Sequence, residues 1–116
     1  MPITGGLDRA VERIASLGGN ALQLFTRNQR QWKIPPISDQ DRQAFLDAVK
    51  AWGSHPIAAH DSYLINLASP DPEKTERSIH GFGQELGRVE LLKIPYLVTH
   101  PGSHMKQGVE QGIATY

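Results

Sequence analysis

Apolar positions recur along this chain in two alternating periods, one of three to four residues and one of short continuous runs. Leu7, Ala10, Val11 and Ile14 fall at helical spacing between the breaks Gly5-Gly6 and Gly18-Gly19. Residues 21–25, Ala-Leu-Gln-Leu-Phe, then read as a short strand that runs into a polar loop, Thr26 to Lys33. Pro35-Pro36 precludes helix there. Ser38 is placed to cap a second helix, with Phe45, Ala48, Val49 and Trp52 as its apolar stripe until Gly53. Residues 56–60 form the next strand pattern. A loop from Asp61 to Pro70 follows, and Asp71-Pro72 opens a long helix whose expected apolar face is Ile79, Phe82, Leu86, Val89 and Leu92. Residues 95–100 give a third strand pattern, and the eight residues after Gly108 are too few for a helix of ordinary length.

Helix and strand patterns in strict alternation predict right-handed βαβ units and a parallel sheet. Three strands are fewer than a parallel sheet normally has, since its open edges leave backbone groups unpaired. A complete eight-stranded barrel takes roughly 250 residues. The expectation is a single incomplete domain over residues 1–116: part of a TIM (β/α)8 barrel with about three parallel strands and flanking helices, lacking the first strand and the C-terminal half.

Composition narrows the function classes only a little. The 116 residues are 39% hydrophobic and 21% charged, which favours a folded domain over a disordered one. Lys plus Arg and Asp plus Glu number 12 each, so any affinity for nucleic acid must come from a local patch. The chain has no cysteine, which excludes disulfides, thiolate metal sites and a cysteine nucleophile. No apolar run approaches a membrane span and the N-terminus lacks a signal-peptide pattern, so the expected setting is cytoplasmic, with no membrane partner.

The candidate chemistry sits at two strand ends. His60 closes Ile57-Ala58-Ala59-His60 and opens Asp61-Ser62-Tyr63, while His100 closes Tyr96-Leu97-Val98-Thr99-His100 and opens Pro101-Gly102-Ser103-His104. Forty residues separate them, the length of one crossover. Adjacent parallel strands lie about 4.8 Å apart, so two imidazoles at neighbouring ends can share one metal ion. His104 follows a Pro-Gly turn, lacks the helical ligand spacing and is better read as a loop contact or as a support behind the metal ligands. Asp61 could orient His60 or bind metal itself, but neighbours on a strand point to opposite faces, so a turn or cap role is the expectation. Trp32 reads as a packing anchor, and Arg27, Arg30 and Lys33 either solvate their loop or meet nucleic acid.

Three segments in this order and spacing closely resemble the endonuclease IV family: Leu24-Phe25-Thr26-Arg27-Asn28-Gln29-Arg30-Gln31-Trp32, His60-Asp61-Ser62-Tyr63-Leu64-Ile65-Asn66-Leu67 and His100-Pro101-Gly102-Ser103-His104. The resemblance implies a TIM barrel and a zinc-dependent apurinic/apyrimidinic endonuclease of base-excision repair, cutting double-stranded DNA on the 5′ side of abasic sites. It assigns His60 and His100 as ligands of one zinc of a trinuclear cluster. It assigns Gln29 and Arg30 to a loop that enters the minor groove, and Tyr63 and Leu64 to a second loop that holds bent DNA with the abasic nucleotide flipped out. The family's first strand carries a His-x-Ser-x-x-Gly-Gly motif, of which this chain has only Gly5-Gly6. The other implied ligands belong to later strands, so at most one partial zinc site is expected and the chain alone is expected to be inactive. Two alternatives differ in class: a non-catalytic half-barrel that binds DNA or a partner, and a fragment of a sugar isomerase or epimerase barrel. Self-association through open sheet edges is a further expectation.

Overall fold

The computed structural model describes residues 1–116, as seven elements in strict alternation: α1 Leu7–Ser16, β1 Leu22–Phe25, α2 Asp39–Trp52, β2 Ile57–His60, α3 Pro72–Leu91, β3 Tyr96–Val98 and α4 Val109–Thr115. The strands lie in the order β1-β2-β3, all parallel. The helix ends follow the local chemistry. Ser38 accepts the Asp41 amide at the start of α2, and Gly53 ends that helix in the left-handed region at φ 101°. At α3 Asp71 accepts the Glu73 and Lys74 amides ahead of a proline whose fixed φ suits the first turn.

Alternation along the strands divides the sheet into two faces. Leu22, Leu24, Ile57 and Ala59 face the helices and are buried with Ala10, Val11, Phe45, Val89, Leu92 and Ile94, while Leu97 packs against this cluster. Complete burial of a side chain such as Leu24, Phe45 or Leu92 contributes about 1.5–3 kcal/mol each, which makes this layer the stabilising centre of the domain. The opposite face carries the rows Gln23, Ala58, Tyr96 and Phe25, His60, Val98. It is open: Tyr96 is 66% and Val98 42% exposed. No strand pairs with the outer edge of β1, where the Met1 nitrogen donates to the Gln23 carbonyl at 2.8 Å, or with that of β3. The parallel half-open sheet is the architecture that the alternating pattern predicts.

The buried face of α3 is the expected one only in part: Val89 and the capping Leu92 are buried as expected and Phe82 is half-buried, but Ile79 and Leu86 are exposed, and Ser78, Gly81 and Glu85 turn inward instead. Only the last turns of this helix meet the apolar layer. Its first half packs on polar loops, where Ser78 Oγ accepts the Asn66 amide at 3.0 Å and Gly81 leaves room for the Trp32 ring. A Cβ at Gly81 would stand 3.1 Å from that ring, closer than side chains ordinarily pack. Trp32 is thus a packing anchor, with the Arg77 guanidinium 4.6 Å from its ring centroid.

Candidate metal centre and nucleic-acid interface

His60 and His100 meet at the C-terminal ends of β2 and of the chain leaving β3. Their ring centroids are 5.0 Å apart. Both lie on the open side of the sheet, two positions apart in the β2–β3 register, which pairs His60 with Val98. Phe25, opposite His60 on β1, stands 5.4 Å from its ring and 5.3 Å, edge to face, from Tyr63. These aromatic rings wall the pair on the β1 side.

Asp61 turns toward His60, contrary to the strand-alternation reading. The strand ends at His60, so the chain leaves the pleat at the next residue and alternation no longer sets the side-chain direction. Nδ1 of His60 lies 2.9 Å from the Asp61 carbonyl and 3.3 Å from its Oδ1, while Oδ2 accepts the Thr99 hydroxyl at 2.6 Å. One buried carboxylate therefore spans both strands that deliver the histidines. An imidazole held at one nitrogen by a carboxylate or carbonyl is fixed in orientation, with its other nitrogen available to a cation. That donor chemistry fits zinc, but no group of three His, Cys, Asp or Glu side chains able to hold a metal converges in this chain. His104 makes contacts within its own loop and the helix that follows: its Nδ1 accepts the Gly108 amide at 3.2 Å, and its side chain packs on Gly112 of α4.

The two loops next to the histidines form one cleft of about 600 Å³, lined by Ile3, Arg27, Asn28, Gln29, Arg30, Tyr63 and Leu64. All four residues assigned to DNA contact therefore face the same recess. Arg30 is exposed with its amide fixed by the Asn28 side chain at 2.9 Å, and Tyr63 is 68% exposed. The loops are tied directly, since Ser62 Oγ donates to the Gln29 carbonyl at 3.2 Å. The third loop joins through Asn66, whose Nδ2 donates to Ser103 O at 3.0 Å and whose Oδ1 accepts the Ser103 amide at 2.8 Å. Gly102 makes that approach possible: it adopts φ 109°, and a Cβ there would overlap the Asn66 side chain.

Beneath the cleft lies a charged group that the sequence reading did not single out. Glu85 is fully buried, accepts Thr26 Oγ1 at 2.9 Å and the Ser62 amide at 3.3 Å, and stands 3.6 Å from Arg27 Nε. Burial pushes its carboxyl above the ordinary range against the opposing pull of Thr26, Arg27, Ser62 and Arg88. Burial likewise lowers Arg88, whose Nε donates to Thr26 O at 3.1 Å and whose Nη1 donates to Pro35 O at 3.0 Å. Arg27 is buried rather than solvated: Nη2 donates to the carbonyls of Gln31 and Trp32, and Nη1 has no partner. A signal was present in the sequence, as Ser78, Gly81 and Glu85 recur at helical spacing on one side of a residue run that also supplies Arg88.

Residues 11–116 match the family model described as "Xylose isomerase-like TIM barrel". Proteins named "Probable endonuclease 4" are similar over nearly all of this chain: that of Chloroflexus aurantiacus is 47% identical over 98% of it, and that of Chloroflexus aggregans 48% over 97%. The crystal structure of endonuclease IV from Thermus thermophilus superposes with a TM-score of 0.80 at 33% identity, over 95% of this chain and 40% of that one. This chain spans about 40% of the length of these curated relatives. The open three-stranded sheet, the histidine pair at its C-terminal rim and these likenesses agree, and the chain belongs to the Xylose isomerase-like TIM barrel family, in which it is similar to endonuclease IV.

Proposed function

We propose that this chain supplies two zinc-ligating histidines and two DNA-contacting loops to an abasic-site endonuclease of the endonuclease IV type, and that alone it binds abasic duplex without cutting it. The observation that carries the reading is the juxtaposition of the His60–His100 pair, rings 5.0 Å apart, with a cleft lined by Gln29, Arg30, Tyr63 and Leu64. A cation at the pair supplies Lewis-acid stabilisation of charge developing on a phosphodiester. The chain's own residues do the rest of the recognition. Arg30 and Gln29 present a cation and an amide to a narrow groove, whose negative potential favours arginine. Tyr63, exposed yet backed by Phe25, is placed to wedge into a base stack already weakened by the missing base. Asp61 orients His60. His104 supports the third loop and takes no part in ligation.

Inactivity of the isolated chain follows from ligand count, because catalytic zinc sites ordinarily keep three protein ligands and here two imidazoles converge. A sugar isomerase or epimerase reading is disfavoured by the cleft loops themselves, because such an enzyme needs no arginine and exposed tyrosine side by side as groove-entering contacts. Open sheet edges further lead copies to pair at high concentration, read as a mass that rises with concentration.

Fluorescence anisotropy with a duplex carrying one abasic site, beside an intact duplex, tests the reading. Expected are preference for the abasic duplex, weakening with salt, loss of the preference in Tyr63→Ala and no incision above a His60→Ala, His100→Ala double variant. Equal affinity for the two duplexes, absence of binding at low ionic strength, or incision above the double variant would overturn it.

A further inference from the structure

The polar group under the cleft joins parts of the chain that no backbone pairing connects. Glu85, in the second half of α3, accepts the Thr26 hydroxyl from the start of the first loop and the Ser62 amide from the start of the second. Arg27, beside it, holds the far side of the first loop through the carbonyls of Gln31 and Trp32. Ser62 completes the circuit by donating to Gln29 O, while its own Oγ accepts the Leu64 amide at 3.3 Å. Every residue assigned to DNA contact is thus no more than two positions from an atom of this network: Gln29 and Arg30 from Gln31, Tyr63 and Leu64 from Ser62.

We propose that Glu85, with Arg27, is a positioning residue that locks the two cleft loops into a single unit and so sets the spacing of the DNA contacts. Two features separate this role from plain stabilisation. An apolar residue on α3 would bury this position without desolvating charge, and burial already works against the Glu85 carboxylate. Moreover the network ends on polar loop atoms, the Thr26 hydroxyl, the Ser62 amide and the carbonyls of Gln31 and Trp32, rather than on the apolar layer, so its geometric content is the relative placement of the loops. Loops held before the ligand arrives spare the ordering cost of binding, which is how a group that never touches DNA affects affinity.

The significance for DNA rests on the proposed function, whereas the coupling of the loops does not. Amide hydrogen exchange of the chain without DNA measures the coupling. In Glu85→Gln, exchange at residues 29–32 and 62–64 is expected to quicken together by about tenfold, with α1 and α2 unchanged. Glu85→Asp keeps the charge opposite Arg27 and Arg88 but shortens the reach by one methylene, so it serves if the glutamine variant does not fold. The same paired quickening is expected in it. Affinity for abasic duplex is expected to fall about tenfold in either variant, through preorganisation alone. Quickening confined to one loop, spread evenly over the whole chain, or absent in both variants would overturn the proposal. Paired quickening in a chain that binds no DNA would leave the coupling standing and remove the proposed function instead.

Discussion

At the residue scale, Asp61 is the side chain on which the candidate metal centre turns. It reaches Nδ1 of His60 with one oxygen and the Thr99 hydroxyl with the other, so it fixes the imidazole and ties together the two strand ends. Carboxylates behind metal-ligating histidines typically carry one to two orders of magnitude in affinity. Asp61→Ala is therefore expected to weaken zinc binding roughly 10- to 100-fold, measured by competition with a chromophoric chelator; an unchanged affinity would show that the contact does not orient His60. His60 and His100 were legible from the sequence because each ends an apolar run and opens a turn-rich segment. Asp61 was not, since strand alternation sends neighbouring side chains apart and nothing in the sequence marks His60 as the last pleated residue.

At the element scale, the alternation of helices and strands and most of their ends could be read from capping and breaking residues. Ser38, Gly53 and Asp71-Pro72 each do what their chemistry dictates. Part of the face of α3 escaped that reading. Periodicity of apolar residues assumes a helix that packs on an apolar layer, whereas α3 packs on loops over most of its length and turns Ser78, Gly81 and Glu85 inward while Ile79 and Leu86 stay exposed. The loop after β3 depends on a different local feature. Gly102, at φ 109°, lets the chain pass the Asn66 side chain, which then holds Ser103 by both its amide atoms. Gly102→Ala imposes the left-handed strain and the overlap together. A loss of about 1–3 kcal/mol is expected in denaturant unfolding, and an unchanged midpoint would contradict the clamp.

At the scale of the whole molecule, the chain divides into an apolar layer that holds the fold and a polar layer at the C-terminal rim that arranges loops and imidazoles. The second layer carries a stability cost that depends on pH. Glu85 has a folded-state pKa raised by burial, so the folded state holds its proton more tightly than the unfolded chain does. Its contribution is fully present below the ordinary carboxylate value of 4.5 and is lost as pH rises through the raised value. The stability of the wild-type chain relative to Glu85→Gln is expected to fall over that window and to level off above it. A difference independent of pH in urea titrations would mean that the carboxyl is not destabilised by its burial.

Under the proposed function, His60 and His100 act on one metal ion. Calorimetric titration of the chain with zinc, beside His60→Ala and His100→Ala, tests it most directly. One zinc per chain, with binding lost in either single variant, is the predicted result. Retained binding in each single variant at the wild-type affinity would contradict it, because two imidazoles that share an ion cannot be replaced one at a time without loss.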